Sequence, residues 1–283
     1  MTDAMAPAGV ARAEPRGSGG VAGWVSDSWL MTLRLIKQIV RVPDLLVFSV
    51  IQPVMFVLLF RYVFGGAIDV GGGGGYVQYL MPGIFVQTLL FNGAATGIGM
   101  ADDLQKGLVD RFRSLPIARS ALLVGRSVSD LIRSTLIFVI MLVVGFATGF
   151  RFSGGVFGAV AGSILMLAFS YAFSWIGIFI GLSVKTVEAA QSGGFLWLFP
   201  LTFASSAFVR TDTMPSWLRG FANHNPVTVV VNSCRSLYLS DTYAHRFGVP
   251  DLGGQLGQSL LWLVLVLVVF VPLSVRKFRN LSR

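Results

Sequence analysis

Charged residues are scarce in this sequence. Asp, Glu, Lys and Arg make up 12% of its 283 residues, whereas a typical soluble domain carries about 25%. Apolar residues make up 54% of the chain, and the mean hydropathy is +0.73. This balance excludes an ordinary soluble domain and indicates that most of the chain lies in a lipid bilayer. Cysteine is limited to Cys234, which excludes an intramolecular disulfide and a cysteine-based metal cluster.

Six apolar runs are long enough to cross a membrane, which takes about 20 residues. The sequence therefore predicts an all-α integral membrane protein with six transmembrane helices, at about residues 45–64, 79–100, 128–150, 156–184, 189–209 and 256–275. Residues 1–23 lack an apolar core run, so we expect a disordered cytoplasmic tail and not a cleavable signal peptide. Residues 24–43 predict an amphipathic interfacial helix, with an ordinary soluble surface helix as the alternative.

Lysine and arginine are distributed unevenly between the two sides of these predicted spans. Sixteen of the 22 Lys and Arg residues fall on the side of the termini, and six fall on the opposite side. Because positively charged loops stay in the cytoplasm, both termini are predicted to be cytoplasmic. The same asymmetry explains the net charge of +9, so no nucleic-acid partner is expected.

One segment, Ala101–Ser134, carries ten charged residues between two apolar runs. Two stripes at helical spacing follow its first half: an apolar stripe of Leu104, Leu108, Phe112 and Leu115, and a charged stripe of Asp103, Lys106, Asp110 and Arg113. The pattern predicts an amphipathic helix of about four turns that ends at Pro116. A connector could be shorter, so we expect a docking surface for a cytoplasmic partner; the alternative is a solvated loop.

Two stretches of the sequence resemble the ABC type-2 exporter permeases, and the first points to their daunorubicin-resistance branch. The stretch "KGLVDRFRSLPIARSALLVGR", residues 106–126, resembles the cytoplasmic loop of that family, with matches at Gly107, Asp110, Arg111, Pro116 and Arg119. The stretch Met214–Ser240 is similar to the family's outer segment, with matches at Pro215, Trp217, Asn225, Pro226 and Arg235. Within it we expect a short amphipathic helix begun by Pro215, and after Asn225 a second, apolar helix that is too short to span a membrane. Many members carry an acidic residue just before the motif glycine, where this chain has Gln105 and Lys106.

The resemblance covers residues 24–283 and implies a permease subunit in the plasma membrane of a bacterium. In that family a second permease subunit completes the pathway, and separate ATP-binding-cassette ATPase subunits drive transport. The charged segment is then a cytoplasmic coupling helix, with Gly107, Asp110, Arg111, Phe112, Pro116 and Arg119 contacting the ATPase. The chain has no Walker motif, so ATP and magnesium are expected on the partner, and no catalytic, cofactor-binding or metal-binding residue is expected here.

The sequence indicates the transported molecule less precisely than the class of transporter. An amphipathic or lipid-like molecule is expected, an antibiotic such as an anthracycline being one candidate, and a lipid-linked glycan is the alternative. Polar residues within the spans either line the pathway or join helices to one another; they are Gln52, Gln87, Asn92, Ser170, Tyr171, Ser174 and Gln191. A rival hypothesis is a magnesium-dependent membrane transferase that uses Asp103 and Asp110, although the neighbouring arginines offset their charge.

Arg235 follows an apolar run, where an unpaired arginine is costly. We expect it to pair with Asp212 or Asp241, or with backbone carbonyls at a helix end.

Overall fold

The computed structural model describes residues 29, 32–33, 43–64, 75–107 and 119–280. These residues form helices and turns, and none of them lies in a strand. The α-helices are α1 (Pro43–Leu58), α2 (Tyr76–Gln105), α3 (Arg119–Ala147), α4 (Gly155–Ser183), α5 (Val187–Phe203), α6 (Ser216–His224), α7 (Pro226–Tyr238), α8 (Asp241–Arg246) and α9 (Leu252–Asn280). A π-helical turn, Leu59–Phe64, continues α1, and a 3₁₀ turn, Thr211–Thr213, precedes α6.

Four described helices are long and apolar enough to cross a membrane: α2, α4, α9 and the part of α3 from Leu123 to Ala147. They confirm the predicted all-α membrane class. The predicted first and fifth spans correspond to α1 with its π-helical turn and to α5, and both are shorter than those four helices. The predicted fifth span is too long at its end, because α5 stops at Phe203 and the chain then turns, with residues 205–208 buried.

Helix α2 is the centre of the fold. Within its most apolar 18 residues, 78% are buried, against 17% in α9. It packs closely on α4 through glycines, since a Cβ at Gly97 would overlap the carbonyl oxygen of Gly177, and a Cβ at Gly181 would overlap that of Gly97. Small residues of this kind let two membrane helices approach backbone to backbone.

The two ends of this helical bundle differ. At one end lie the C-termini of α2, α4 and α9 and the N-termini of α3 and α5; we call it the connector end. At the other end, residues 204–251 form a compact unit that we call the cap. It contains α7, which is apolar and only 13 residues long. The two short helices predicted here, after Pro215 and after Asn225, are confirmed as α6 and α7.

The interfacial helix predicted at 24–43 lies almost entirely outside the described residues. Of its described positions, Trp29 is exposed, and Thr32 is buried, where its hydroxyl donates to the Gly125 carbonyl at 3.2 Å.

Candidate functional site

A cavity of about 290 Å³ lies between α1, α2, α3 and α5. Its polar lining consists of Gln52, Gln87, Thr88, Asn92, Arg133 and Gln191. Phe56, Phe91 and Phe195 supply part of its apolar lining, and the Phe91 ring lies 6.2 Å from the Phe195 ring, centroid to centroid. The cavity therefore combines aromatic surface with amide groups that can both donate and accept hydrogen bonds.

The polar span residues divide between the two roles considered for them. Gln52, Gln87 and Gln191 line the cavity, whereas Ser170 joins helices to one another. Its hydroxyl contacts the Leu89 carbonyl at 3.2 Å and Ser134 Oγ at 3.1 Å. Asn92 does both, since it lines the cavity and its amide donates to Ser134 Oγ at 2.6 Å. The last two polar residues, Tyr171 and Ser174, both lie in α4, where the Ser174 hydroxyl donates a hydrogen bond to the Tyr171 carbonyl.

A chain of ion pairs leads from the connector end to this cavity. Arg126 of α3 contacts Asp103 of α2, and its Nε lies 3.9 Å from an oxygen of Asp130. Asp130 also contacts Arg133 at 3.2 Å, and Arg133 donates to the Asn92 carbonyl at 3.3 Å. We call Asp103, Arg126, Asp130 and Arg133 the ion-pair chain. Arg133 lines the cavity, so the cavity wall carries a charged side chain as well as amides.

The ion-pair chain is tightly enclosed but incompletely hydrogen-bonded. The Nε atoms of Arg126 and Arg133 and one oxygen of Asp130 are buried without a hydrogen-bond partner. Residue 99 of α2 is glycine, and a Cβ there would overlap the guanidinium of Arg126 in its present position. Unmet bonds in a buried charged network are costly, so the ion-pair chain is less stable than its balanced charges alone would indicate.

The predicted amphipathic helix does not begin where its stripes begin. Asp103 and Leu104 belong to the last turn of α2, which ends at Gln105. The chain then turns at Gly107, whose φ of 62° is a left-handed conformation that favours glycine. The stripes are therefore not continuous through Gly107, and the predicted single helix is wrong over that part. The chain resumes as α3 at Arg119.

Four residues assigned to coupling, Asp110, Arg111, Phe112 and Pro116, lie outside the described residues. Close to them, Lys106 donates to Asp102 at 2.6 Å, and this hydrogen bond raises the pKa of Lys106. The Gln105 amide donates to the Lys185 carbonyl at 3.3 Å, which ties the end of α2 to the α4–α5 turn.

In the cap, Arg235 of α7 is buried to 1% exposure. Its Nε donates to the Tyr79 carbonyl at 3.0 Å, and its two terminal nitrogens donate to the Ser206 and Ala207 carbonyls, to Ser206 Oγ and to Asn232 Oδ1, at 2.8 to 3.3 Å. The guanidinium carbon also lies 3.6 Å from the centre of the Tyr79 ring. We call these partners the Arg235 cage.

The carbonyl alternative predicted for Arg235 is therefore confirmed. Pairing with Asp212 is wrong, because Asp212 accepts hydrogen bonds from Arg210 at 3.1 and 2.5 Å. The side chain of Asp241 lies outside the described residues, and no described carboxylate forms an ion pair with Arg235.

The other predicted cap residues have local roles. Asn225 caps α7 by accepting from the Val227 amide at 2.9 Å, and its own amide donates to the Leu201 and Ala204 carbonyls at 2.7 and 2.8 Å. Pro226 occupies the first turn of α7, where a missing N–H costs no helical bond. Pro215 is the residue immediately before α6, and Trp217 within α6 is 78% exposed.

Sequence reasoning did not find the partners that complete these sites. Tyr79 and Ser206 of the cage lie far from Arg235 along the chain, and no spacing rule connects them to it. Asn232 lies three residues before Arg235 on α7, a helical spacing that could have indicated this one contact. The arginine and acid spacing of Arg126, Asp130 and Arg133, at i, i+4 and i+7, was a usable signal for one charged helix face.

This fold and site define a class: a helical membrane protein with several spans and a partly polar cavity inside its bundle. The chain belongs to the ABC-2 type transporter family, whose model matches residues 27–239. It is similar to the daunorubicin resistance ABC transporter permease protein DrrB1 of Streptomyces coeruleorubidus, at 30% identity over 84% of this chain and 81% of the relative.

Two further relatives are more distant. One is the putative transport permease ycf38 of Cyanophora paradoxa, at 23% identity over 86% of this chain and 85% of the relative. The other is the probable doxorubicin resistance ABC transporter permease protein DrrC of Mycobacterium tuberculosis, at 24% identity over 89% of this chain and 88% of the relative. The chain is therefore a membrane permease homologous to permeases named for drug resistance.

Proposed function

We propose that this chain is the permease subunit of an exporter, and that a separate ATP-binding-cassette ATPase drives it. The observation that carries this proposal is the ion-pair chain, which runs from the connector end to a cavity within the helical bundle. A movement applied at the connector end would reach the cavity through these side chains. The chain itself carries no Walker motif, so ATP and magnesium belong to the ATPase in this proposal.

The proposed topology has six spans, with both termini and the connector end in the cytoplasm and the cap outside. The uneven distribution of Lys and Arg supports this orientation. Helix α5 has 17 residues, about 26 Å at 1.5 Å per residue, and α1 with its π-helical turn is longer. Both approach the roughly 30 Å of a bilayer's hydrocarbon core, which supports their assignment as spans.

A second permease subunit would complete the pathway. Gln52 of α1 and Gln191 of α5 line the cavity, and both are exposed in the single chain. Polar side chains are costly against lipid, whereas a facing copy of α1 and α5 would cover them and close the cavity. Either an identical or a related subunit would serve.

The proposed cargo is amphipathic or lipid-like, because the cavity combines phenylalanine rings with glutamine amides. An anthracycline fits this description, and the names of two relatives support it. A lipid-linked glycan is the second candidate. Arg133 favours it, since its guanidinium lines the cavity and can donate hydrogen bonds to a phosphate.

The segment between α2 and α3 is the proposed contact with the ATPase, and Phe112 is its proposed anchor, because aromatic residues most often dominate such interfaces. We expect Phe112→Ala to leave the permease in the membrane, to lower copurification of the coexpressed ATPase at least tenfold and to abolish efflux. Phe157→Ala is the matched control, because Phe157 is 85% exposed on α4.

Full ATPase binding and full efflux by the Phe112→Ala variant would overturn the coupling assignment. Purified permease with magnesium-dependent transferase activity would instead revive the enzyme hypothesis. The ion pair between Arg126 and Asp103 disfavours that hypothesis, because it occupies a carboxylate that the hypothesis assigns to magnesium.

A further inference from the structure

A second cavity, of about 370 Å³, lies beneath the cap, and it differs from the cavity between the spans. Its polar lining includes Thr211, His224, Asn232, Arg235, Gln255 and Gln258. It is formed where the cap meets the first turns of α2 and α9, and Phe247 supplies part of its apolar wall. The proposed export pathway assigns no role to this space, which we call the cap pocket.

The cap pocket has a positive charge that its described residues do not cancel. Arg210 and Asp212 also line it, but they pair with each other. Arg235 has no described carboxylate beside it, and its five N–H groups all donate to uncharged oxygens. Carbonyl dipoles stabilise the guanidinium without removing its net charge. A cationic ligand is therefore disfavoured in this pocket, and a neutral or acidic one is favoured.

The hydrogen-bonding groups of the pocket specify the ligand further. Gln255 is 9% exposed, and its Oε1 is buried without a partner. Asn232 uses its oxygen to accept from Ser206 and Arg235, both at 3.1 Å, which fixes its amide, and its nitrogen has no acceptor among the described residues. The oxygen of Gln255 therefore needs a hydrogen-bond donor, and the side-chain nitrogen of Asn232 needs an acceptor.

A hydroxyl group satisfies both needs, because it donates and accepts, whereas a phosphate or carboxylate group only accepts. Gln255 lines the pocket, and its amide carries an acceptor oxygen as well as two N–H donors for a hydroxyl ligand. Several amide side chains around one polar space, with an aromatic wall, suit a ligand that carries several hydroxyls.

We propose that the cap pocket binds a hydroxyl-rich, uncharged or acidic group of the cargo, such as a neutral sugar, at the outer end of the pathway. This inference rests on the proposed export function and adds a substrate class to it. An amino sugar, which is cationic at neutral pH, would bind less well than its neutral counterpart because of Arg235.

The test measures binding to the full-length permease in lipid nanodiscs by titration calorimetry, with empty nanodiscs subtracted. The probes are hexyl β-D-glucopyranoside, its 2-amino-2-deoxy analogue, hexanol and methyl β-D-glucopyranoside. We expect the hexyl glucoside to bind at least tenfold more tightly than the amino analogue or hexanol. Binding of the methyl glucoside with similar affinity would mean that a free sugar suffices; binding of the hexyl compound alone would mean that the apolar tail contributes. Either result supports the proposal that the cap pocket binds a neutral sugar.

The variant is Gln255→Leu, which removes the unmet oxygen at nearly constant size. We expect it to keep or raise the melting temperature, because no existing hydrogen bond is lost, and to weaken glucoside binding about tenfold, as expected when a hydrogen bond to a ligand is removed. Gln105→Leu, the same change on the connector end, should leave binding unchanged.

Equal binding of all four probes, no saturable binding, or unchanged glucoside binding by Gln255→Leu would each overturn the inference. Efflux of an unglycosylated amphipathic dye by cells that express the permease and its ATPase separates the two proposals. If the dye is exported while glucoside binding fails, the cap pocket inference alone is wrong. If no cargo is exported and no ATPase copurifies, the exporter proposal is wrong.

Discussion

The two ends of the bundle hold arginines in opposite ways. At the connector end, Arg126 and Arg133 are paired with Asp103 and Asp130, but several of their hydrogen bonds are unmet. In the cap, Arg235 has no described acidic partner, yet each of its N–H groups has an acceptor. The first centre balances its charge and leaves hydrogen bonds unmet, while the second meets its hydrogen bonds and leaves its charge unbalanced.

This difference has a consequence for movement. An acid shared between two arginines, as Asp130 is, can move toward either one at modest cost, because attraction between charges depends weakly on direction. Hydrogen bonds to fixed backbone carbonyls are directional, so the Arg235 cage holds α7 against α2 and residues 206–207 in one geometry. The connector end is therefore suited to rearrange and the cap to remain rigid.

The largest expected effect comes from breaking the Arg235 cage. Arg235→Ala would remove the donor from the buried carbonyls of Tyr79, Ser206 and Ala207 and would open a cavity, so we expect a loss of more than about 3 kcal/mol of stability. Arg235→Lys should recover part of this loss, because an ammonium group replaces the charge but not the planar fork. Thermal unfolding of the purified permease measures both.

Arg219→Ala is the matched control for this comparison. Arg219 also lies in the cap and donates to two carbonyls, those of Asp212 and Met214, but these bonds are exposed to solvent. We expect a change of less than about 1 kcal/mol from it. Equal stability of the Arg235→Ala and wild-type proteins would show that the cage is not what holds the cap.

A smaller effect is expected from the ion-pair chain. Asp130→Asn would leave Arg126 and Arg133 without their shared carboxylate, and we expect a loss of about 2 kcal/mol, since hydrogen bonds and pairs to largely buried charges are worth about that much. We expect export to fall by more than the loss of stability explains, because the ion-pair chain would no longer connect the end of α2 to the cavity.

Asp102→Asn provides the control, because Asp102 pairs with the exposed Lys106, and exposed pairs contribute little. The two variants are compared by thermal unfolding and by dye efflux at matched expression. If Asp130→Asn exports normally, the ion-pair chain does not transmit movement, and its role is structural only.

The sequence predicted the parts of this fold that depend on local pattern. Apolar runs located the long spans, and the Pro215 and Asn225–Pro226 signals located α6 and α7. The helix ends at the connector end were not predicted, because charges there suggested a separate helix. Arg126, which precedes the predicted span at 128–150, instead lies within α3, which begins at Arg119. Its pairing with Asp103 of α2 lowers the cost of that charge in a way that composition does not reveal.

The Arg235 cage shows the same limit for the candidate site. The sequence indicated that Arg235 needs a partner, and it offered acids and carbonyls as alternatives. The actual partners, Tyr79 and Ser206, are 156 and 29 residues away along the chain. Only the packing of α7 between α2 and the turn after α5 brings them together, and a spacing pattern contains no information about that packing.

The smallest expected effect concerns the one acid of the cap that pairs with an arginine in the described structure, Asp212. Hydrogen bonds from Arg210 hold the pKa of Asp212 below its ordinary value of about 4. A carboxyl with a lowered folded pKa adds stability above its unfolded pKa, and that stability is lost as the pH falls through the folded value. The side chain of Asp212 is 54% exposed, so the contribution should be below about 1 kcal/mol.

Asp212→Asn should therefore lower the melting temperature slightly at pH 7, by the same amount at pH 5, and by progressively less below about pH 4. The Arg235 cage contains no described carboxylate, so Arg235→Ala should lower the melting temperature by a similar amount at each of these pH values. Melting curves of both variants and the wild-type protein between pH 7 and pH 3 make the comparison. If the effect of Arg235→Ala faded toward low pH as that of Asp212→Asn does, an acid would be supporting Arg235 after all, and the contrast between the two arginine centres would be wrong.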